Sequence, residues 1–378
     1  MGQLWDIINV DRREQGFVDS GKLGSLFFSD LRYLYRSLHI PCLPEKVDKW
    51  LSYGTFAIQP EPIGELPTEV LDMIYETILN DTNEDHPELI FLTCVSLAIT
   101  CNRLLSVGKC HIQRALIPRH ARAADCRIVC LGEYADKDDQ APPGMLTDAE
   151  IKELETTKMP YEDEEPTDSD ESTDDDEPTD DDLEERCLYI FAAELYKYYG
   201  DALHERSKPM YTFMDRFHTQ LLEAQSESHN EARDAALTRD LKMFKTIAGV
   251  SYYGCQVTYP GGLNVLCNMS KGECVREDAL VKLESKWCRV TLAHAVFSRI
   301  CYSLSHDISI ACSKEVEEKL VKGPWAGDRF RITSADDMPT LPGGKEWKDV
   351  TKEVSQMLRH LWRHGMREDA GEDEELND

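Results

Sequence analysis

Apolar residues recur along this chain with two different periods. Near the start, Leu4, Trp5 and Ile7 lead into Ile8-Asn9-Val10-Asp11-Arg12-Arg13-Glu14, and later Leu263 and Val265 lead into Cys267-Asn268-Met269-Ser270-Lys271-Gly272-Glu273. Both segments read as a strand running into a turn. Between them, Leu66, Val70, Leu71, Ile74, Tyr75, Ile78 and Leu79 form a stripe of helical period. Leu66-Pro67 opens that helix, Thr68 is placed to cap it, Glu69 and Asp72 suit its positive end, and Asn80–Asn83 stops it. A second helix is predicted from about Glu88 to Leu105, with Leu89, Leu92, Leu97, Cys101 and Leu104 on one side. Two such short amphipathic helices need each other and a third surface.

Further helical spacings join Cys187, Phe191, Leu195 and Tyr199, and then Met210, Phe213, Met214, Phe217 and Leu221. These read as core positions rather than a cofactor box. Another helix, beginning near Asp278, ends in Phe297, Ile300, Cys301 and Leu304. A last one carries Trp347, Val350, Val354, Met357 and Leu361.

The strand-and-turn segments are copies of one pattern: apolar, Asn, apolar, small polar, basic, any residue, Glu. A second pair matches as well, Trp325-Ala326-Gly327-Asp328-Arg329-Phe330-Arg331-Ile332 with Ala123-Ala124-Asp125-Cys126-Arg127-Ile128-Val129-Cys130. Each copy then reaches a proline-glycine turn, at Pro142-Pro143-Gly144 and Pro342-Gly343-Gly344. The predicted class is α+β, with two related small units of antiparallel strands. The first spans 1–150 and is interrupted by the helical pair at about 60–118, and the second spans 250–365. Residues 151–186 form a linker, 187–249 a helical segment and 366–378 a tail.

Charge sharpens that division. The net charge is −29, but sixteen acidic residues and one arginine lie within 161–186, and seven acidic residues within 368–378. The rest of the chain carries only −7. Such blocks repel themselves and predict solvated, disordered stretches. No basic stripe with interleaved aromatics supports nucleic-acid binding. Thirteen cysteines include no Cys-x-x-Cys pair, so no zinc spacing emerges. The beginning of the chain is neither basic nor followed by an apolar run, and the longest apolar stretch, Leu89–Ile99, is too short to span a bilayer. No membrane partner is expected. A reducing compartment, cytoplasm or nucleus, fits thiols that are free core residues.

Candidate chemistry is sparse. Gly249-Val250-Ser251-Tyr252-Tyr253-Gly254 spaces its glycines wrongly for a nucleophile elbow, and there is no phosphate loop. His360 and His364 have a metal-compatible spacing, but positive charge is also favoured in a last helical turn, so no metal and no cofactor is assigned. Trp325 and Arg329 are the candidate ligand-binding residues. The plainer reading has Trp325 anchoring a core, Gly327 taking a special backbone angle and Arg329 meeting an acid of its own unit.

The Leu66-Pro67-x-Glu69-Val70-Leu71-x-x-Ile74 register, with the ending Ser96-Leu97-x-x-Thr100-Cys101-x-Arg103-Leu104, resembles an F-box. The linker Asn80–Pro87 is longer and more acidic than usual in that family, and Leu104 stands where a tryptophan is common. The resemblance implies that Leu66, Pro67, Val70, Leu71 and Ile74 contact the adaptor subunit of a cullin-RING ubiquitin ligase. The repeat is similar to an uncharacterised family found mainly in basidiomycete fungi. Its members open with Met-Gly-Gln-aromatic, carry Trp-Ala-Gly-Asp-Arg motifs and often contain an F-box-like stretch. Gly2, Gln3, Asn9, Arg12 and Glu14 match its first motif, and Trp325–Phe330 its second.

The expected function is a substrate receptor without chemistry of its own, bringing an unknown target protein to the ligase so that the rate gain comes from proximity. Two alternatives stand beside it: an acidic scaffold binding basic proteins, and a small-ligand binder or enzyme built on the paired α+β units.

Overall fold

A computed structural model describes residues 3–18, 20–52, 66–80, 87–134, 141–157, 187–201, 231–251, 254–255, 257–284, 288–305, 308–310 and 312–365, with scattered positions between 212 and 226. The acidic run 161–186, the tail and the stripe from Met210 to Leu221 lie outside the described residues. The class is α+β. The strands are β1 (Leu4–Asn9), β2 (Glu14–Gln15), β3 (Gly21–Lys22), β4 (Ile128–Gly132), β5 (Lys197–Tyr198), β6 (Val250–Ser251), β7 (Gly254–Cys255), β8 (Asn264–Asn268), β9 (Glu273–Arg276), β10 (Cys301–Tyr302), β11 (Phe330–Ser334) and β12 (Lys348–Asp349). Helices up to residue 195 are α1 (Leu23–Phe27), α2 (Arg32–Leu38), α3 (Lys46–Ser52), α4 (Thr68–Leu79), α5 (Pro87–Ala98), α6 (Asn102–His120), α7 (Asp148–Thr156) and α8 (Leu188–Leu195).

The chain divides into two compact units. One comprises the described parts of 1–38, 125–199 and 263–378, and the other those of 39–124 and 200–262. The expected boundaries are therefore corrected. The two α+β copies form a single unit, and the helical insert is larger than 60–118, being completed by a second stretch of chain.

Why the copies do not separate is visible in their hydrogen bonds. β1 pairs antiparallel with β4 from Trp5↔Gly132 to Asn9↔Ile128, and β8 pairs with β11 from Asn264↔Ser334 to Asn268↔Phe330. Asn9 is thus equivalent to Asn268, and Ile128 to Phe330. The equivalence continues through the turns. The Val10 N–H donates to Arg127 O at 3.1 Å, as Met269 N–H does to Arg329 O at 2.7 Å. Asn9 Oδ1 accepts from the Arg12 N–H at 3.2 Å, and Asn268 Oδ1 from the Lys271 N–H at 3.0 Å. β5 joins β2 in parallel through Glu14↔Lys197, and β12 joins β9 through Glu273↔Lys348.

The copies meet at an antiparallel bridge between Arg127 and Arg329. It is flanked by Asp125 N–H to Phe330 O at 2.7 Å and Gly327 N–H to Ile128 O at 2.9 Å. These two bonds exchange under the same equivalence, so a local two-fold axis passes between the arginines. The copies also trade elements. β10, from the second copy, runs parallel to β4 in the first sheet. Helix Leu292–Ile300 lies against β4, while α2 from the first copy lies against β11. Each copy covers part of the other's sheet, which buries apolar surface that neither covers alone.

Other sequence expectations shift for local reasons. The helix expected from Asp278 begins only at Leu292. The preceding chain closes on itself through Glu284↔Arg289 and a Val290 N–H to Leu283 O bond of 2.9 Å. The helix start is fixed where the Thr291 N–H donates to His294 Nδ1 at 3.1 Å. The C-terminal helix spans Thr351–Gly365, and Val354, Leu358 and Leu361 are its buried side, while Trp347 lies outside it.

Candidate docking face and the Trp325 region

Among its described residues the second unit is helical apart from the small β6–β7 hairpin and an isolated bridge between Cys42 and Thr258. Its core joins Leu71, Tyr75, Phe91, Val95, Leu105 and Phe244, the last from helix Glu231–Ala248. The helix expected over 88–105 is broken. Thr100 turns back on Leu97 O through both its N–H and its hydroxyl, and Cys101 is extended (φ −155°, ψ 163°), so α6 starts afresh at Asn102.

α4 begins as its sequence suggests, with one change. Pro67 itself is the N-cap, and no side chain caps the turn, so the role expected for Thr68 is not taken. Pro67 O accepts from the Val70 and Leu71 N–H groups at 3.1 and 3.2 Å. Glu69 stands in the first turn, where the helix dipole favours it.

The inner side of α4 is clamped to α6. Leu71 is 1% exposed and Tyr75 fully buried. The Tyr75 hydroxyl donates to Leu104 O at 3.0 Å, and burial pushes its phenol pKa upward. Its ring stacks on His111, centroids 5.4 Å apart, while His111 Nε2 lies 2.9 Å from Asp72 Oδ1. Gly108 makes room, since a Cβ there would sit 2.5 Å from the ring. Leu71 is therefore corrected as a partner contact, because its side chain is spent on its own core.

The outer side is different. Pro67 is exposed, Val70 is 37% exposed and Met73 65%, with Leu66 and Ile74 half-buried at the margin. Leu89 of α5, 37% exposed, adds to the exposed apolar residues of this helix pair. Arg103 donates to Leu66 O and ties the start of α4 to α6. Of the five residues carried by the F-box resemblance, four are accessible. Met73, the most exposed apolar side chain of α4, was not singled out in the sequence, although it follows Val70 at i+3 on the same face.

The Trp325 region is filled. Trp325 is fully buried, its indole N–H donates to Glu273 at 2.7 Å, and the Arg299 guanidinium lies 4.5 Å over its ring. Burial alone would raise the Glu273 pKa, but hydrogen bonds from Lys348 and Trp325 outweigh it and hold the carboxyl below its ordinary value. Arg329 donates to Asp11 and to Asp125 O, both at 2.6 Å. Both residues are corrected as ligand-binding candidates. Trp325 anchors the core, and Arg329 meets an acid of the other copy rather than its own. Gly327 does take a left-handed angle, φ +79°.

The rings of His360 and His364 lie 4.5 Å apart, and His360 Nε2 accepts from the Ser313 N–H at 3.5 Å. Among the described residues no group of three His, Cys, Asp or Glu side chains is placed to hold a metal ion. No helix among them is long and apolar enough to cross a membrane. No family model matches this chain, and neither a curated protein nor a solved structure matches it.

Proposed function

We propose that this protein is a substrate-receptor subunit of a cullin-RING ubiquitin ligase, docking on the adaptor through the outer side of α4 and acting in the cytoplasm or nucleus without chemistry of its own. One observation supports this above the rest. Pro67, Val70 and Met73 present an apolar face to solvent, while Leu71 and Tyr75 fix the same helix to α6. A preformed, rigid apolar face is what helix-mediated docking requires. Leu66, Ile74 and Leu89 would form the rim of the contact.

The test uses purified full-length chain and a purified F-box-binding adaptor. Val70→Asp with Met73→Asp is expected to abolish complex formation while leaving the far-ultraviolet circular dichroism unchanged. Equal capture of adaptor by the doubly substituted and unsubstituted chains would end this reading. Loss of binding on deleting 161–186 and 368–378 instead would favour the acidic-scaffold alternative.

A further inference from the structure

We propose that the α+β unit holds a site for a small amphipathic organic anion, an apolar body bearing one sulfonate, carboxylate or phosphate head. The site is a cavity of about 510 Å3 lined by α2 and by residues within 277–284 and 288–294. That volume lies within the usual range for small-molecule sites. Leu31, Leu280, Val281 and Val290 line it and are buried, giving it an apolar floor.

The rim supplies charge. Arg36, Lys282 and Arg289 line the cavity and are exposed, and among the described residues none of the three forms an ion pair. Arg32 is already committed to Asp30 at 2.5 Å, and Glu277 accepts from the Asn264 amide at 2.8 Å. Glu284, the backbone-bridge partner of Arg289, lines the cavity as well, so four cations stand against three carboxylates, in a chain whose net charge is −29. Cationic side chains that form no ion pair among the described residues and line an apolar cleft suit an anionic head with its body directed inward.

Cys288 and His294 close the floor and decide between binding and catalysis. Sγ lies 3.2 Å from Nε2. Because the Thr291 N–H donates to Nδ1, the neutral ring carries its proton on Nε2, directed at the sulfur. The thiol in turn donates to Ser29 O at 3.4 Å. The imidazole therefore has no free lone pair to take the thiol proton, and the pair is a neutral wall rather than a nucleophile.

The test titrates the full-length chain with 8-anilinonaphthalene-1-sulfonate, read by fluorescence. One saturable site is expected, displaced by decanoate or phenyl phosphate but not by inorganic phosphate at the same concentration. Arg36→Ala, Lys282→Ala and Arg289→Ala together should weaken the affinity about tenfold or more, while Lys319→Ala, an exposed side chain that does not line the cavity, leaves it unchanged. If the triple variant loses its thermal transition, Lys282→Gln alone carries the test, with an expected weakening of about threefold. Undiminished affinity in the charge-removed chain, binding that does not saturate, or no binding of any of the three organic anions would overturn the proposal. Displacement by inorganic phosphate alone would overturn the amphipathic assignment.

Discussion

Arg127 and Arg329 occupy equivalent positions in two copies of one motif, pair backbone to backbone, and share a single carboxylate. Asp11 Oδ1 lies 2.6 Å from Arg127 and Oδ2 lies 2.6 Å from Arg329. Two guanidiniums brought together by a local two-fold axis repel unless an anion stands between them. The equivalent of Asp11 in the other copy is Ser270, whose hydroxyl accepts the Arg329 N–H at 3.0 Å as Asp11 accepts that of Arg127 at 2.9 Å. One acid thus serves both arginines. Arg127 has a further partner in Glu150 at 2.6 Å, and the Arg127 hydrogen bond holds the Glu150 pKa down at about 2.

Asp11→Asn is therefore expected to cost more than losing either arginine's outer contact. The substitution leaves Arg329 without its carboxylate and Arg127 with Glu150 alone, a loss of about 2 kcal/mol. Arg329→Ala should cost less than about 1 kcal/mol, because that side chain is 44% exposed. Urea unfolding followed by the fluorescence of buried Trp5 and Trp325 measures both. Equal costs would mean that Asp11 serves Arg329 only.

The repeat also fixes backbone conformation independently of residue type. Gly327 (φ +79°) is equivalent to Asp125 (φ +59°), and Gly272 (φ +66°) to Arg13 (φ +53°). Gly327→Ala places a Cβ 2.6 Å from Met145 in a left-handed backbone, and should destabilise by about 2 kcal/mol. Arg13→Gly relieves the same backbone strain at the cost of an exposed ion pair to Glu153. Its net effect is expected within about 1 kcal/mol of zero. Thermal denaturation of the two variants separates them, and a neutral Gly327→Ala would show that this turn relaxes freely.

Much of this was legible in the sequence and some was not. Asn9 against Asn268 and Arg127 against Arg329 are aligned by residue type alone, and the structure keeps that alignment bond for bond. The Leu71–Tyr75 side of α4 follows from helical period. What period cannot show is the exchange of elements, because β10 is only two residues long and gains its place by pairing with β4, a contact distant in sequence. Nor does it show which member of a stripe a neighbouring helix covers. Leu71 and Val70 are adjacent and both apolar, yet only Leu71 is buried in the helical core. The worn copy hides its own cause: Ala123 stands where Trp325 fills the core, so one tryptophan serves a motif that occurs twice.

Two buried groups are expected to cancel in the pH dependence of stability. Asp6 accepts hydrogen bonds from the Ile7 and Gly16 N–H groups at 2.7 and 3.1 Å, yet burial lifts its pKa from 3.8 to about 6. Its contribution falls as pH rises through that interval, because the folded chain holds the proton more tightly. Burial lowers the His294 pKa from 6.5 to about 4, so its contribution falls as pH drops through that interval. Each is worth about 3 kcal/mol across its window. Asp6→Asn should therefore lose stability on acidification relative to the unsubstituted chain, and His294→Gln should gain it. Urea midpoints near pH 4 and pH 6.5 decide this, and three parallel pH profiles would contradict both assignments.

The proposed docking face should respond differently from the clamp beneath it. Val70 and Met73 are exposed, so Val70→Ala and Met73→Ala remove little buried area, and each should shift stability by less than about 0.5 kcal/mol. Gly108→Ala drives a methyl into the Tyr75 ring at 2.5 Å and forces α4 away from α6, at a cost of about 2 kcal/mol in the helical unit. Tyr75→Phe keeps the ring and loses the bond to Leu104 O, a cost of about 1 kcal/mol. A face that docks as a rigid surface weakens in all four variants, but for two reasons. The alanine variants of Val70 and Met73 bind less at unchanged stability, whereas Gly108→Ala binds less because α4 is displaced. Calorimetric titration against the adaptor, paired with urea midpoints for each protein, distinguishes the two. Unaltered adaptor affinity in Gly108→Ala, despite the lost stability, would mean that the position of α4 on α6 does not matter to docking.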